Sequence, residues 1–67
     1  MSIYSNYCKA RDAAGMTDYQ VSKTSGVSPS TFSDWKTGRS EPKLPRLVKI
    51  ADAVGVTLQE LLKDVET

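Results

Sequence analysis

Five basic side chains between residues 36 and 49 are the densest cluster of charge in this 67-residue chain, and Glu41 is the only acidic residue among them. This density predicts a locally positive surface, which attracts a polyanion even though the formal net charge of the whole chain is only +1. An ordinary solvated face is the alternative interpretation of the same charges. The five residues are Lys36, Arg39, Lys43, Arg46 and Lys49.

The sequence lacks the residues on which several other chemistries depend. It contains no histidine and a single cysteine, Cys8. Histidine general bases, Ser–His and Cys–His nucleophile pairs and the usual zinc ligand sets are therefore excluded, and an internal disulfide cannot form. No apolar run approaches the ~20 residues that a membrane span needs. We expect no enzyme activity, no metal, no cofactor and no membrane span, and a reducing compartment.

Four glycines and matching helix-start residues divide the chain into five short segments. Thr17 followed by Gln20 is typical of a capping box, and Ser28 before Pro29 is typical of a helix cap and first position. The apolar spacing is helical throughout, and no segment alternates as a strand does. The sequence therefore predicts an all-α fold and a single domain over residues 1–67. Its helices are expected at about 3–14, 18–25, 29–37, 44–54 and 58–64.

Each predicted helix has an apolar face that would turn toward a common core. The face of the fourth helix is the longest, and Pro45 lies in its first turn, where a proline is tolerated. The expected inward residues, in chain order, are Ile3, Tyr7, Ala10, Ala14, Val21, Phe32, Trp35, Leu44, Leu47, Val48, Ala51, Val54, Leu58, Leu61 and Leu62.

The second and third segments are short and closely connected. The stretch 24–27 leaves only a tight connection between them, with Gly26 in the turn and Val27 able to fill the angle between the two helices. Two helices joined in this way form a helix-turn-helix unit. A plain helical bundle is the alternative, since helical hairpins are common.

The stretch from Arg11 to Leu62 resembles the Cro/C1-type helix-turn-helix domain of phage repressors and related bacterial regulators. The strongest part is residues 16–38, which read MTDYQVSKTSGVSPSTFSDWKTG, followed by Pro42, Leu47 and the tail from Ile50 to Leu62. The resemblance implies a compact, lambda-repressor-like domain of five helices. It also implies binding to double-stranded DNA, with the third helix entering the major groove by its N-terminal end.

Site residues follow from the resemblance position by position. The base-contacting candidates on the third helix are Pro29, Ser30, Ser33 and Asp34. The phosphate-contacting candidates lie at the start of the second helix, along the third helix and in the loop after it. They are Thr17, Asp18, Tyr19, Thr31, Lys36, Thr37, Arg39, Ser40 and Lys43.

Three features depart from the family pattern. Asp18 stands where the family often has Gln, and phosphate would repel its carboxylate. Lys36 stands where the family commonly has Glu, so it cannot pair with Arg11, which needs another partner or remains solvated. The third helix has no Arg, Gln or Asn before Lys36. Because these are the usual bidentate base readers, base discrimination is expected to be modest or to depend on water and DNA shape.

The resemblance therefore implies a transcriptional repressor of phage or mobile-element type. Such a protein is encoded by a bacterium or phage and acts in the cytoplasm at the nucleoid. The family usually binds as a dimer, and the corresponding residues here are Val56, Thr57, Leu58 and Leu62; simple core packing is the alternative role for the apolar ones. The competing hypothesis is a protein-interaction module that keeps the fold but does not bind specific DNA. The acidic Asp18 and Asp34 motivate it.

Overall fold

Five α-helices form the regular structure of residues 2–65, the part of the chain that the computed structural model describes. The all-α prediction is confirmed, and α2, α3 and α4 begin and end at the predicted residues. No strand occurs among residues 2–65. The helices are α1 (Ile3–Ala13), α2 (Asp18–Ser25), α3 (Pro29–Thr37), α4 (Leu44–Val54) and α5 (Leu58–Leu62).

Local hydrogen bonds explain where most of these helices start and stop. The Thr17 hydroxyl accepts from the Gln20 amide at 3.2 Å, and the Gln20 side chain accepts from the Thr17 amide at 2.9 Å, which completes the predicted capping box. Gly26 and Gly38 end α2 and α3 with φ angles of 77° and 78°. Glycine reaches this left-handed region without the cost that a side chain imposes.

Three local predictions need correction. Ser28 makes no capping bond to α3, because its hydroxyl is hydrogen-bonded to that of Ser30 at 2.9 Å. The helix α1 ends at Ala13, one residue earlier than predicted. The helix α5 ends at Leu62 rather than residue 64, because the backbone is extended at Lys63 and left-handed at Asp64.

The early end of α5 is held by a side chain from the opposite end of the chain. The Asn6 amide group donates to the carbonyl oxygens of Leu61 at 2.8 Å and Lys63 at 2.7 Å. These carbonyls belong to the last turn, which has no partner within the helix. Asn6 therefore fastens α1 to the C-terminal end of α5.

The core is small and is centred on aromatic packing between α1 and α3. The ring of Tyr7 stacks on Trp35 with centroids 5.0 Å apart and lies 5.5 Å from Phe32. Tyr7 is completely buried. The buried apolar residues are Tyr7, Val21, Val27, Phe32, Trp35, Leu47, Ile50, Ala51, Val54 and Leu61.

The predicted apolar face of α4 is partly wrong. Leu47, Ala51 and Val54 are buried, but Ile50, which was not expected to lie inward, is also fully buried. Val48 is 43% exposed and Leu44 is 57% exposed. Each residue turns an α-helix by about 100°, so a helix that buries Leu47 and Ile50 directs Val48 away from the core.

Three residues outside α4 were also expected inward, namely Ala14, Leu58 and Leu62. Ala14 and Leu62 are exposed, and Leu58 is half-buried.

Replacing Ile50 with alanine should destabilise the domain strongly. The substitution leaves a cavity in a core that a 67-residue chain cannot easily rebuild, at a cost of about 2–5 kcal/mol. A domain of this size has only about 3–5 kcal/mol from its core, so we expect a large fall in Tm by circular dichroism. The matched control is Val48→Ala on the same helix, which should change stability by less than about 0.5 kcal/mol. Equal effects of the two variants would contradict the assigned core.

Candidate nucleic-acid interface

The connection between α2 and α3 has the geometry of a helix-turn-helix unit. Val27, in the turn, is 4% exposed and packs into the core. The buried Ser22 hydroxyl donates to the Val27 carbonyl oxygen, and the Val27 amide donates to the Ser25 hydroxyl at 3.2 Å. The angle between the two helices is therefore fixed by both packing and hydrogen bonds.

The start of α3 presents a small, polar face to solvent. Phe32 and Trp35 point into the core, so Pro29, Ser30 and Ser33 lie exposed on the other side of the helix. Three of the four predicted base-contacting residues thus share an accessible face. The fourth, Asp34, is half-buried, and its carbonyl oxygen accepts from the amides of Arg39 and Ser40 at 2.9 Å and 3.4 Å.

The start of α2 presents free backbone amides. Thr17 and Gln20 satisfy each other in the capping box, whereas the amides of Asp18 and Tyr19 donate to no acceptor within residues 2–65. Unsatisfied amides at a helix start favour a phosphate group. Tyr19 is 62% exposed, and the Lys23 ammonium lies 5.3 Å from the centroid of its ring. The start of α2 is therefore an accessible surface with free amide donors.

The other residues predicted to contact phosphate differ in side-chain exposure and in the hydrogen bonds that their side chains already form. Lys36, Arg39, Ser40 and Lys43 are exposed, and Thr31 is half-buried. The exposed Thr37 hydroxyl already donates to the carbonyl oxygens of Ser33 and Asp34, at 3.2 Å and 3.1 Å. A phosphate contact from Thr37 would therefore require its hydroxyl to turn outward. None of the five basic side chains between residues 36 and 49 forms an ion pair with any residue from 2 to 65.

Arg11, which lacks the family's usual partner, is paired with Asp18 instead. The Arg11 guanidinium donates to the Asp18 carboxylate at 2.9 Å and to the more exposed Asp12 at 3.0 Å. The same Asp18 oxygen, Oδ1, accepts from the Tyr7 hydroxyl at 2.6 Å. The carboxylate of Asp18 is thus engaged with α1, and its backbone amide remains available to a phosphate.

These contacts alter the pKa values of the residues involved. Burial tends to raise the pKa of Asp18, but the hydrogen bonds from Tyr7 and Arg11 and the positive charges of Arg11 and Lys36 outweigh it, so the pKa is lowered. Burial and the hydrogen bond to Asp18 both raise the pKa of Tyr7. Asp18 is therefore a carboxylate and Tyr7 a neutral donor at neutral pH.

The sequence did not predict this cluster. The distance of Asp18 from Arg11 depends on how α1 and α2 cross, and residue types alone do not specify that crossing. The available signal was a pair of departures from the family pattern. An acid appears at position 18 and a base appears at position 36, so the negative charge that faces Arg11 has moved from the third helix to the second.

The residues predicted for a dimer contact lie at the junction of α4 and α5 and at the end of α5. Leu62 is 38% exposed, while Val56 and Leu58 are half-buried and pack against the core. Thr57 is exposed, and its hydroxyl accepts from the Glu60 amide at 3.2 Å. The Glu60 side chain makes no return bond to the Thr57 amide, so no capping box forms there.

Two negative findings apply to residues 2–65. Within this part of the chain no helix has both the length and the apolar character needed to cross a membrane. No group of three or more potential metal ligands is assembled by the same residues.

Fold and surface together define a helix-turn-helix domain, in which a short second helix supports an exposed third helix. Residues 9–61 match the model of a helix-turn-helix family, and the chain belongs to this Cro/C1-type family. It is 31% identical over 61 residues to the cryptic phage CTXphi transcriptional repressor RstR of Vibrio cholerae. It is 34% identical over 60 residues to the HTH-type transcriptional regulator y4dJ of Sinorhizobium fredii.

The aligned regions cover the relatives to different extents. They include 91% and 90% of this chain, but 54% of RstR and 78% of y4dJ. The chain therefore spans about half the length of the first relative. Both relatives are named as transcription regulators.

The contribution of Asp18 to stability should depend on pH. Because the pKa of Asp18 is lowered in the folded protein, its stabilising effect is present above the unfolded value of about 3.9 and is lost as the pH falls through the folded pKa. We expect the wild type to be more stable than Asp18→Asn at about pH 7. This difference should shrink below about pH 4 in urea unfolding experiments.

The matched control is Asp12→Asn, which removes the more exposed partner of Arg11. It should have a smaller effect at neutral pH, because exposed ion pairs contribute little. If the difference between wild type and Asp18→Asn were the same at every pH, Asp18 would not be stabilised as a carboxylate.

Proposed function

We propose that the protein is a sequence-specific double-stranded DNA-binding regulator, a transcriptional repressor of phage or mobile-element type. The observation that supports this most is the arrangement around the turn. The unit combines free amides at the start of α2, an exposed start of α3 and unpaired basic side chains after α3. In this proposal α3 enters the major groove by its N-terminal end.

Phosphate contacts would set the position of the domain on the duplex. The amides of Asp18 and Tyr19 would bind one phosphate, with Thr17 beside them and the Tyr19 hydroxyl as a further donor. On the other side of α3, Lys36, Arg39 and Lys43 would bind the backbone electrostatically. The remaining proposed contacts are Thr31, Thr37 and Ser40. Such contacts orient a protein on DNA but do not distinguish sequences.

Base contacts would come from Pro29, Ser30, Ser33 and Asp34. A serine hydroxyl can donate to or accept from a base edge, Asp34 can accept from a cytosine amino group, and Pro29 offers apolar contact to a thymine methyl group. The Ser30 hydroxyl would have to exchange its bond with Ser28 for one to a base. These short side chains reach few base atoms, so DNA shape and bridging water would supply part of the discrimination.

A homodimer would place its two copies of α3 in successive major grooves on one face of the DNA. The proposed contact consists of Val56, Thr57, Leu58 and Leu62, of which Leu62 is the exposed large apolar residue. The two recognition helices would then lie about 34–36 Å apart. Binding in the bacterial cytoplasm, at the nucleoid, completes the proposal.

Selection of bound duplexes from a random pool, at two salt concentrations, tests the proposal directly. We expect enrichment of a defined sequence and a steep loss of affinity as salt rises, because several phosphate contacts release counterions. No detectable binding to any duplex at low salt would contradict DNA binding. That result would favour the alternative of a protein-interaction module built on the same fold.

Arg39→Glu should weaken binding to all duplexes alike, because it removes a phosphate contact and adds a negative charge. The salt slope should fall by about one. Ser30→Ala should instead change the sequence preference while leaving the salt slope unchanged. Fluorescence anisotropy with the selected and an unrelated duplex measures both effects.

Lys63→Glu is the matched control for Arg39→Glu, since it makes the same charge change outside the proposed interface. It should reduce affinity much less than Arg39→Glu. Equal losses would show that net charge alone controls binding.

Leu62→Glu should weaken dimer formation, because a charge at a packed apolar contact is costly to desolvate. Sedimentation with and without the selected duplex should show more monomer than for the wild type. The control is Val48→Glu, the same kind of change at an exposed apolar residue outside the proposed contact. A wild type that remains monomeric even on DNA would rule out the dimer.

A further inference from the structure

Tyr7 contacts the two DNA-facing helices through different parts of its side chain. Its ring stacks on Trp35 with centroids 5.0 Å apart and lies 5.5 Å from Phe32, both on the inner face of α3. Its hydroxyl donates to the Asp18 carboxylate, in the first turn of α2, at 2.6 Å. One fully buried residue of α1 therefore connects the start of α2 with the recognition helix.

Arg11 holds the same carboxylate one turn further along α1. Its guanidinium donates to Asp18 Oδ1 at 2.9 Å and lies 5.7 Å from the centroid of the Tyr7 ring. Asp18 thus accepts two hydrogen bonds from α1, and its negative charge is compensated beside the free amides of Asp18 and Tyr19. An acid can occupy this place near a phosphate because it is already paired.

We propose that Tyr7 is a positioning residue for sequence discrimination, because it fixes the start of α2, where a phosphate would bind, relative to the base-reading face of α3. This inference rests on the proposed DNA-binding function. It assigns no DNA contact to Tyr7, which is buried. It assigns the Asp18 side chain to the same positioning unit, while the Asp18 backbone amide remains the proposed phosphate donor.

Because the exposed side chains at the start of α3 are short, the placement of α3 relative to the start of α2 is important. A phosphate bound at α2 would fix the register of the domain, and the depth of α3 in the groove would then depend on the relation between the two helices. Serine hydroxyls extend only a short distance from the backbone. A small displacement of α3 would take Ser30 and Ser33 out of hydrogen-bond range of the base edges, whereas a long arginine could adjust.

The test compares Tyr7→Phe with the wild type. Phenylalanine keeps the ring that packs on Trp35 and loses only the hydroxyl that reaches Asp18. The readout is the ratio of affinities for the selected duplex and an unrelated duplex, measured by anisotropy. We expect this ratio to fall by about fivefold, the scale of one hydrogen bond. The salt slope should be unchanged, because no basic contact is lost.

Tyr4→Phe is the matched control. Tyr4 lies on the same helix and its ring is 5.1 Å from that of Trp35, but its hydroxyl forms no hydrogen bond with Asp18. The affinity ratio should remain that of the wild type. Equal ratios for Tyr7→Phe and Tyr4→Phe would overturn the inference. So would a Tyr7→Phe variant that loses the same factor on both duplexes.

A second pair of variants decides the question if Tyr7→Phe does not fold. Asp18→Asn keeps an acceptor oxygen and should retain most of the ratio, while affinity for both duplexes rises because a negative charge is removed. Asp18→Ala removes the acceptor and should lower the ratio as Tyr7→Phe does. An unchanged ratio in Asp18→Ala would overturn the inference.

The same measurements separate this inference from the proposed function. A wild type that selects no sequence would overturn the proposed function and the role of Tyr7 with it. A selective wild type whose ratio survives Tyr7→Phe would overturn the role of Tyr7 alone.

Discussion

The stacking of Tyr7 on Trp35 is the contact on which the orientation of α3 depends. A helix of nine residues is too short to be stable on its own, so α3 takes its shape and direction from the surface that it covers. On the side of α1, that surface includes the rings of Tyr4, packed edge-on against Trp35, and Tyr7, near Phe32. Because these rings occupy the inner face, the small polar residues at the start of α3 must face solvent.

The packing of α1 against α2 also determines which charged side chains pair with each other. In the ion pair of Arg11 and Asp18, a partly exposed carboxylate compensates a guanidinium whose side chain is only 21% exposed. The family commonly has a glutamate that pairs with arginine where this chain has Lys36. Because Asp18 is the partner of Arg11 here, position 36 carries a positive charge on the surface instead. The near-zero net charge of the chain therefore conceals a basic surface after α3, while residues 51–67 carry four of the eight acidic side chains.

Features set by neighbours in the sequence were predictable, and features set by the crossing of helices were not. The capping box of Thr17 and Gln20 and the helix-ending Gly38 act within one turn, so the bounds of α2 and α3 followed from residue types alone. The end of α5 depends on Asn6, more than 50 residues away. The exposure of Val48 depends on the rotation of α4 against the core, and apolar periodicity gives that rotation only approximately.

The candidate site shows the same division. The resemblance pointed to Pro29, Ser30 and Ser33, and the burial of Phe32 and Trp35 leaves these three residues exposed on one face of α3. It could not find the partner of Arg11, since the approach of Asp18 is created by the angle between α1 and α2. It also could not show that the Thr37 hydroxyl donates back into its own helix or that Ser28 pairs with Ser30, because each hydroxyl has several local acceptors.

When a recognition helix has short polar side chains, discrimination between base sequences depends more on where the helix backbone lies than on how far the side chains reach. A long arginine or glutamine can satisfy a base edge from a range of helix positions, whereas a serine can do so from few. In the proposed DNA complex, rigidity of the domain would then contribute directly to selectivity. The tight turn at Val27, the buried Tyr7 and the pairing of Asp18 with Arg11 all restrict how α3 can move relative to α2. In the proposed DNA complex, the residues buried beneath α3 would therefore be as important for selectivity as those exposed on it.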